Sequence, residues 1–213
     1  MSNSVSIQPV GNHVSRWGEG PRFWNNVLFY VDIEGHALIR LGLDPIHEDV
    51  WDVGERIGTV APTRDGSLLC AGDSGIFSFC LQGAEKKLLV DPESHKRPDN
   101  RFNDGLCDPS GRFWAGTMST IKQTGDASLY MLDHEGCLHK KIDHVTNSNG
   151  ICWNATASLM YYIDTPTKKV LAYTFDNTTG NIGTPTELID IETAGIEGSP
   201  DGMTIDVDGN LWI

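Results

Sequence analysis

Short apolar runs separated by turn residues set the pattern of this chain, and no helical stripe interrupts them. The runs fall at Val27–Val31, Leu38–Leu43, Ser67–Ala71, Ile76–Leu81, Arg112–Ala115, Ser128–Leu132, Ser158–Ile163, Val170–Phe175 and Asn210–Ile213. Each reads as a β-strand. Between them stand Asp65-Gly66, Ser110-Gly111, Glu135-Gly136, Thr179-Gly180 and Asp208-Gly209, pairs that turn a chain because the glycine tolerates positive φ. The strand after the first turn of each unit starts at Val27, Ser67, Arg112, Ser158 and Asn210, spacings of 40, 45, 46 and 52 residues. A loose period in the forties with several short strands per unit predicts an all-β propeller of about four strands per blade. A parallel α/β fold would need a crossover helix in each interval, and the sequence offers none. Four repeats and the start of a fifth are counted before the chain stops within a strand at Gly209-Asn-Leu-Trp-Ile213. The expectation is a single propeller domain over residues 1–213, incomplete at its C-terminus and shortened from a longer form.

Superimposed on this pattern, an oxygen-bearing side chain precedes a glycine four times: Glu19-Gly20, Asp104-Gly105, Asn149-Gly150 and Asp201-Gly202. In a propeller the innermost strand of each blade lines a common axis. Residues heading those strands therefore converge, and on this register they are Glu19, Asp104 with its neighbour Asn103, Asn149 and Asp201. Blade two has Ile57-Gly58 at the equivalent place and contributes no oxygen. Hard oxygen ligands from separate repeats suit calcium, magnesium or manganese better than a soft-ligand metal. Asp-Gly and Asn-Gly are also ordinary turn pairs, and spacing alone leaves both readings open.

Composition narrows the class. The formal net charge of -13 argues against nucleic acid or an anionic membrane as partner, since both call for clustered Lys and Arg. The five cysteines, Cys70, Cys80, Cys107, Cys137 and Cys152, are odd in number and form no C-x-x-C pair, which disfavours a disulfide framework or a thiolate zinc site. Met1 to Val10 lacks the basic and apolar segments of a leader, and no stretch approaches the roughly 20 apolar residues of a membrane span. A cytoplasmic location is the default expectation. Oligomeric state is left open.

Several blocks carry a family resemblance: Trp17-Gly-Glu-Gly-Pro21; Arg101-Phe-Asn-Asp-Gly105 running on to Gly111-Arg-Phe-Trp-Ala-Gly-Thr-Met118; Asn147-Ser-Asn-Gly150; Ser199-Pro-Asp-Gly-Met203; and Asp206-Val-Asp-Gly-Asn-Leu-Trp212. In order and spacing the chain resembles the gluconolactonase/regucalcin (senescence marker protein) family from about residue 10 onward. The resemblance implies a six-bladed propeller holding one divalent metal ion (calcium, zinc, magnesium or manganese) that hydrolyses sugar lactones. Carried over position by position, it places the metal ligands on Glu19, Asn149 and Asp201. The substrate-contacting arginine and asparagine fall on Arg101 and Asn103. One departure follows Met118: animal members carry acidic residues there, whereas this chain has Ser119-Thr120-Ile121, so their sugar preference does not transfer.

The expected chemistry is hydrolysis of an aldonolactone such as gluconolactone or a pentonolactone. Asp201 is the expected general base, Arg101 and Asn103 would orient the sugar, and Asp104 would align Asn103 or a metal-bound water. The alternatives are a non-catalytic calcium-binding or regulatory protein and an inactive shortened propeller. Other patterns have plainer explanations. Gly72-Asp-Ser-Gly75 reads as a hairpin turn despite its likeness to a serine-protease segment. Asp206-Val-Asp-Gly209 lacks the glutamate that would complete a calcium loop. His134, His139 and His144 recur every five residues, which places them on no common face. Glu85-Lys-Lys87 reads as a solvated turn.

Overall fold

The computed structural model describes residues 6–213; residues 1–5, part of the stretch read for a leader, lie outside the described residues. Four antiparallel sheets follow one another along the chain. The first is β1 (Gly18–Trp24), β2 (Val27–Asp32), β3 (Ala37–Leu43) and β4 (Ile46–Asp52), paired in that order. The second is β5 (Ile57–Pro62), β6 (Leu68–Gly72), β7 (Gly75–Cys80) and β8 (Glu85–Val90). The third is β9 (Asn100–Cys107), β10 (Phe113–Ser119), β11 (Ala127–Leu132) and β12 (Leu138–Val145). In the fourth, β13 (Ser148–Trp153), β14 (Leu159–Asp164) and β15 (Lys169–Asp176) pair in turn, and β15 also takes β16 (Asn181–Ile182) and β17 (Thr186–Asp190). A two-stranded hairpin, β18 (Thr204–Ile205) and β19 (Leu211–Trp212), comes last.

The inner strands β1, β5, β9, β13 and β18 lie side by side in that sequence. The arrangement is propeller-like, with four blades around a shared axis. The helical content among the described residues is two single 3₁₀ turns, Ser94–Lys96 and Thr165–Thr167. No helix among them is long and apolar enough to cross a membrane.

Each apolar run read from the sequence falls on a second or third strand of a sheet, or on β19. These middle strands are packed on both faces, so they carry the core and the hydrophobic signal. Phe29, Val31, Leu38, Val60, Phe77 and Phe79 fill the space between the first two blades. Phe102, Phe113 and Tyr130 continue the core between the second and third. Trp114, Trp153 and Phe175 join the third and fourth, with ring centroids 5.7–6.1 Å apart in edge-on geometry.

The inner and outer strands lack an apolar run for opposite reasons. The inner ones face the axis and are rich in glycine and polar residues. The outer ones face solvent, and Glu85-Lys-Lys87, expected in a turn, opens the edge strand β8. There Lys86 reaches Glu55 at 2.9 Å and lies over the Phe77 ring.

The other dismissed patterns have local partners. Gly72 and Gly75 pair across the β6–β7 hairpin. The Asp206 carboxylate accepts from Asp208 N, Asn210 N, Asn210 Nδ2 and Trp212 Nε1 at 2.8–3.0 Å, so the turn consumes its oxygens. The His134 ring contacts the Ser110 carbonyl, whereas His139 pairs with Asp133. All five cysteines are free.

Candidate active site

Three of the four oxygen–glycine pairs sit on β-bulges, and Asp201-Gly202 precedes β18 outside any strand. The ladder slips between Glu19 and Arg22 on β1, between Asn149 and Ile151 on β13, and at Asn103-Asp104, opposite Ala115 to Thr117, on β9. Ile57-Gly58 on β5 carries the same slip without an oxygen. A bulge leaves a residue unpaired and re-aims its side chain. Here it also brings neighbouring blades into main-chain contact. A Cβ on Gly58 would lie 2.3 Å from the Asn103 carbonyl oxygen, and one on Gly150 would lie 2.8 Å from that of Asp201. The Gly150 N–H donates to that same Asp201 carbonyl at 3.0 Å. Glycine at these places is a packing requirement.

The bulges open onto one cavity of about 180 Å³. Its walls include Glu19, Arg101, Asn103, Asp104, Asn149 and Asp201, all six residues singled out from the sequence. Trp17, Met118, Asn147, Thr165 and Ser199 share the lining. Ser119, Thr120 and Ile121 are not part of it. Ser119 is buried elsewhere, the Thr120 hydroxyl donates to the Asp99 carbonyl at 2.9 Å, and Ile121 is exposed.

Individual side chains are held by identifiable partners. Glu19 Oε1 accepts from Trp17 Nε1 at 3.0 Å. Trp17 is itself fixed by its backbone N–H, which donates to Asp32 Oδ1 at 2.9 Å. Asn149, 6% exposed, donates from Nδ2 to Thr165 Oγ1 at 2.9 Å; no hydrogen-bond partner among the described residues engages its Oδ1. Arg101, 5% exposed, donates from Nη1 to the Phe102 carbonyl and to Asn103 Oδ1 at 2.8 and 3.0 Å. Its sequence neighbours Asp99 and Asp104 offer an ordinary ion pair, yet Arg101 forms none among the described residues. Asn103 closes the arrangement by donating from Nδ2 to the Ser148 carbonyl at 2.9 Å, across to the fourth blade.

Of its two expected roles, Asp104 does not take the first: it makes no hydrogen bond to Asn103 among the described residues. Its Oδ1 accepts from Gly105 N at 2.7 Å and from Arg22 Nη2 at 3.4 Å. Asn103 is aligned instead by Arg101 and Ser148. The two neighbours share one bulge, and the carboxylate is taken by Arg22, which also donates to the Gly105 carbonyl.

Electrostatics favour a cation among these oxygens. Burial raises the Glu19 carboxyl above the usual range; the Trp17 hydrogen bond opposes the rise, and the nearby Asp201 and Asp104 carboxylates add to it. Burial likewise raises Asp104 against the pull of Arg22. The Glu19 and Asp201 carboxylates, far apart in sequence, and the Asn149 carboxamide oxygen, without a donor among the described residues, form an oxygen set that fits a hard divalent cation. No group of three or more His, Cys, Asp or Glu is poised for a metal among the described residues; this set relies on an asparagine for its third oxygen.

Residues 17–213 match the model of the SMP-30/gluconolactonase/LRE-like family. The chain belongs to that family. It is 34% identical over 209 residues to "Putative sugar lactone lactonase YvrE" of Bacillus subtilis, spanning 92% of this chain and 67% of that protein. It is 32% identical over 216 residues to regucalcin of Danio rerio, covering 99% of this chain and 72% of the relative. The crystal structure of an Agrobacterium tumefaciens protein, described as the calcium-binding protein regucalcin, superposes with a TM-score of 0.86 at 29% identity. That match covers 93% of this chain and 67% of the other. At the level of the family, membership supports hydrolysis of sugar lactones.

The sequence had quoted Trp17, Asn147 and Ser199 within blocks without giving them roles. Asp32 and Thr165 were missed altogether. The available signal for Asp32 was a carboxylate closing an otherwise apolar strand, where burial demands hydrogen-bond donors.

Proposed function

We propose that the cavity hydrolyses a sugar (aldono) lactone, such as gluconolactone or a pentonolactone, to the aldonic acid with one bound divalent cation. The observation that carries the reading is the meeting of Glu19, Asn149, Asp201 and Arg101 around one space. Glu19, Asn149 and Asp201 would hold the ion. When bound, it supplies Lewis-acid polarisation of the lactone carbonyl and lowers the pKa of a coordinated water. Asp201, which no side-chain donor engages among the described residues, accepts the proton of the attacking water at its carboxylate and returns it to the leaving ring oxygen. Arg101 directs its remaining guanidinium donors at the sugar hydroxyls, held in place by the Phe102 carbonyl and Asn103. Asn103 contributes to substrate orientation by fixing Arg101, and correct orientation supplies much of the rate.

A cation-binding protein without turnover would use the same three oxygens. Arg101 favours catalysis: a buried guanidinium that forms no ion pair among the described residues, set beside the oxygens, serves a substrate, whereas a cation gains nothing from it. The same proposal takes β18–β19 as the opening of a fifth blade in a six-bladed ring. In support, the hairpin turn repeats an earlier one: Trp212 Nε1 donates to Asp206 Oδ2 as Trp114 Nε1 donates to Asp108 Oδ2, both at 3.0 Å.

In a pH-stat assay over a panel of sugar lactones with the cation varied, Asp201→Ala should abolish turnover while the far-UV spectrum stays unchanged. Full activity in that variant would discard the mechanism.

A further inference from the structure

We propose that Thr165 is a positioning residue that sets which end of the Asn149 carboxamide faces the cavity and thereby controls divalent-cation affinity there. The inference rests on the reading that Glu19, Asn149 and Asp201 hold the ion. A carboxamide has a donor end and an acceptor end on one soft, roughly two-fold torsion. With Nδ2 on Thr165 Oγ1 at 2.9 Å, the oxygen is left for the cavity. Turned over, the amide would present its N–H groups to the Glu19 and Asp201 carboxylates that line the same space. That inverted state is attractive to two carboxylates and repels a cation.

A hydroxyl both donates and accepts, so Thr165 tolerates either orientation. What it supplies to the oxygen-inward state is an acceptor for the amide protons. Without that acceptor, the cation-competent orientation leaves a buried N–H unpaired.

The hydroxyl is held where it is needed. Thr165 N donates to the Asn147 carbonyl at 3.1 Å, and the Thr165 carbonyl accepts from Lys168 N at 3.1 Å. The turn has Pro166 in its first positions and closes on Lys168 in the left-handed region, at φ 56°. A turn tied at both ends does not readily move another acceptor into place.

Calorimetric titration of the purified chain with calcium and with manganese chloride tests the proposal on wild type, Thr165→Val, Thr165→Ser and Asn149→Ala. Valine keeps the shape and removes the acceptor, and should weaken cation binding about tenfold. Serine restores the hydroxyl and should bind within about twofold of wild type. Melting temperatures in chelator should stay within a few degrees across the set. Wild-type affinity in Thr165→Val, with binding lost in Asn149→Ala, would overturn the role of Thr165 and leave the cation site standing. Equal weakening by valine and serine would mark a packing effect and also overturn it. Binding unaffected by Asn149→Ala, or no binding by wild type, would remove the site reading and this inference together. Should Thr165→Val fail to fold, Thr165→Ala against Thr165→Ser carries the same comparison.

Discussion

Asp32 lies outside the cavity lining yet anchors Trp17, whose indole holds Glu19. It is 1% exposed, and four groups donate to its carboxylate: the backbone N–H of Arg16, Trp17 and Gly35, and the His13 ring at 3.1 Å. Burial alone would raise its pKa, but the hydrogen bonds from Trp17, Arg16, His13 and Gly35 outweigh burial and hold it below the usual carboxylate range. The lowered folded value means that Asp32 stabilises the fold fully above its unfolded pKa of about 3.9, and that this contribution is lost as pH falls through the folded value. Asp32→Ala should therefore cost about 3 kcal/mol at pH 7, with the gap to wild type shrinking below about pH 4; urea midpoints at both pH values measure it. The same change should impair lactone turnover, because Asp32 holds Trp17 and Trp17 holds Glu19. From sequence, Glu19, Asp104, Asn149 and Asp201 were candidates because each stands before a glycine in a repeated position, and the family resemblance set Glu19, Asn149 and Asp201 apart as the expected ion ligands. Asp32 was not a candidate, since its partners are mostly backbone groups that no side-chain pattern records.

Strands were legible where they carry an apolar run and not in proportion to burial, since β5 and β13 are almost wholly buried yet offer no such run. The middle pair of each sheet announces itself through apolar runs, while β1 and β9, spelling Gly-Glu-Gly-Pro and Asn-Arg-Phe-Asn-Asp-Gly, were placed only through the register of the repeat. The turns were located through their glycines, but the determining residue stands three positions earlier. Asp108, Asp133 and Asp206 each accept two backbone N–H groups, two and four residues on. Gly111, Gly136 and Gly209 follow with φ of 81–89°. In the last of these turns the hydrogen bonds, led by Asn210, push the Asp206 carboxyl down to about 2. The bulge glycines answer to a different constraint. Gly58→Ala would drive a methyl group into the Asn103 backbone, with contacts of 2.3–2.7 Å. Backbone cannot yield as a side-chain tip can. The substitution should separate the second and third blades at the axis and cost about 2 kcal/mol, lowering Tm by roughly 5 °C. Differential scanning calorimetry reads the shift, and an unchanged Tm would show that the blades have slack there.

For the molecule as a whole, the proposed ion would tie together parts that are far apart in sequence: Glu19 on the first blade, Asn149 on the fourth and Asp201 beyond it. A ligand bound only by the folded state stabilises by mass action, about 2.7 kcal/mol at a hundredfold excess over Kd. Added divalent cation should raise the melting temperature of the wild-type chain and leave Glu19→Gln nearly unmoved. A net charge of -13 adds a general attraction for cations, so a rise equal in both proteins would assign the effect to bulk screening. The abutting glycines have one more consequence. Because main chain meets main chain where Gly58 abuts Asn103 and Gly150 abuts Asp201, the separation of those segments is set by backbone dimensions. Redesign of this protein can then proceed in two independent layers. Charged positions of outer strands such as β8, apart from Lys86 with its contacts to Glu55 and Phe77, can be rewritten for solubility or attachment, while under the proposed function substrate scope would be altered at lining residues such as Met118 and Ser199.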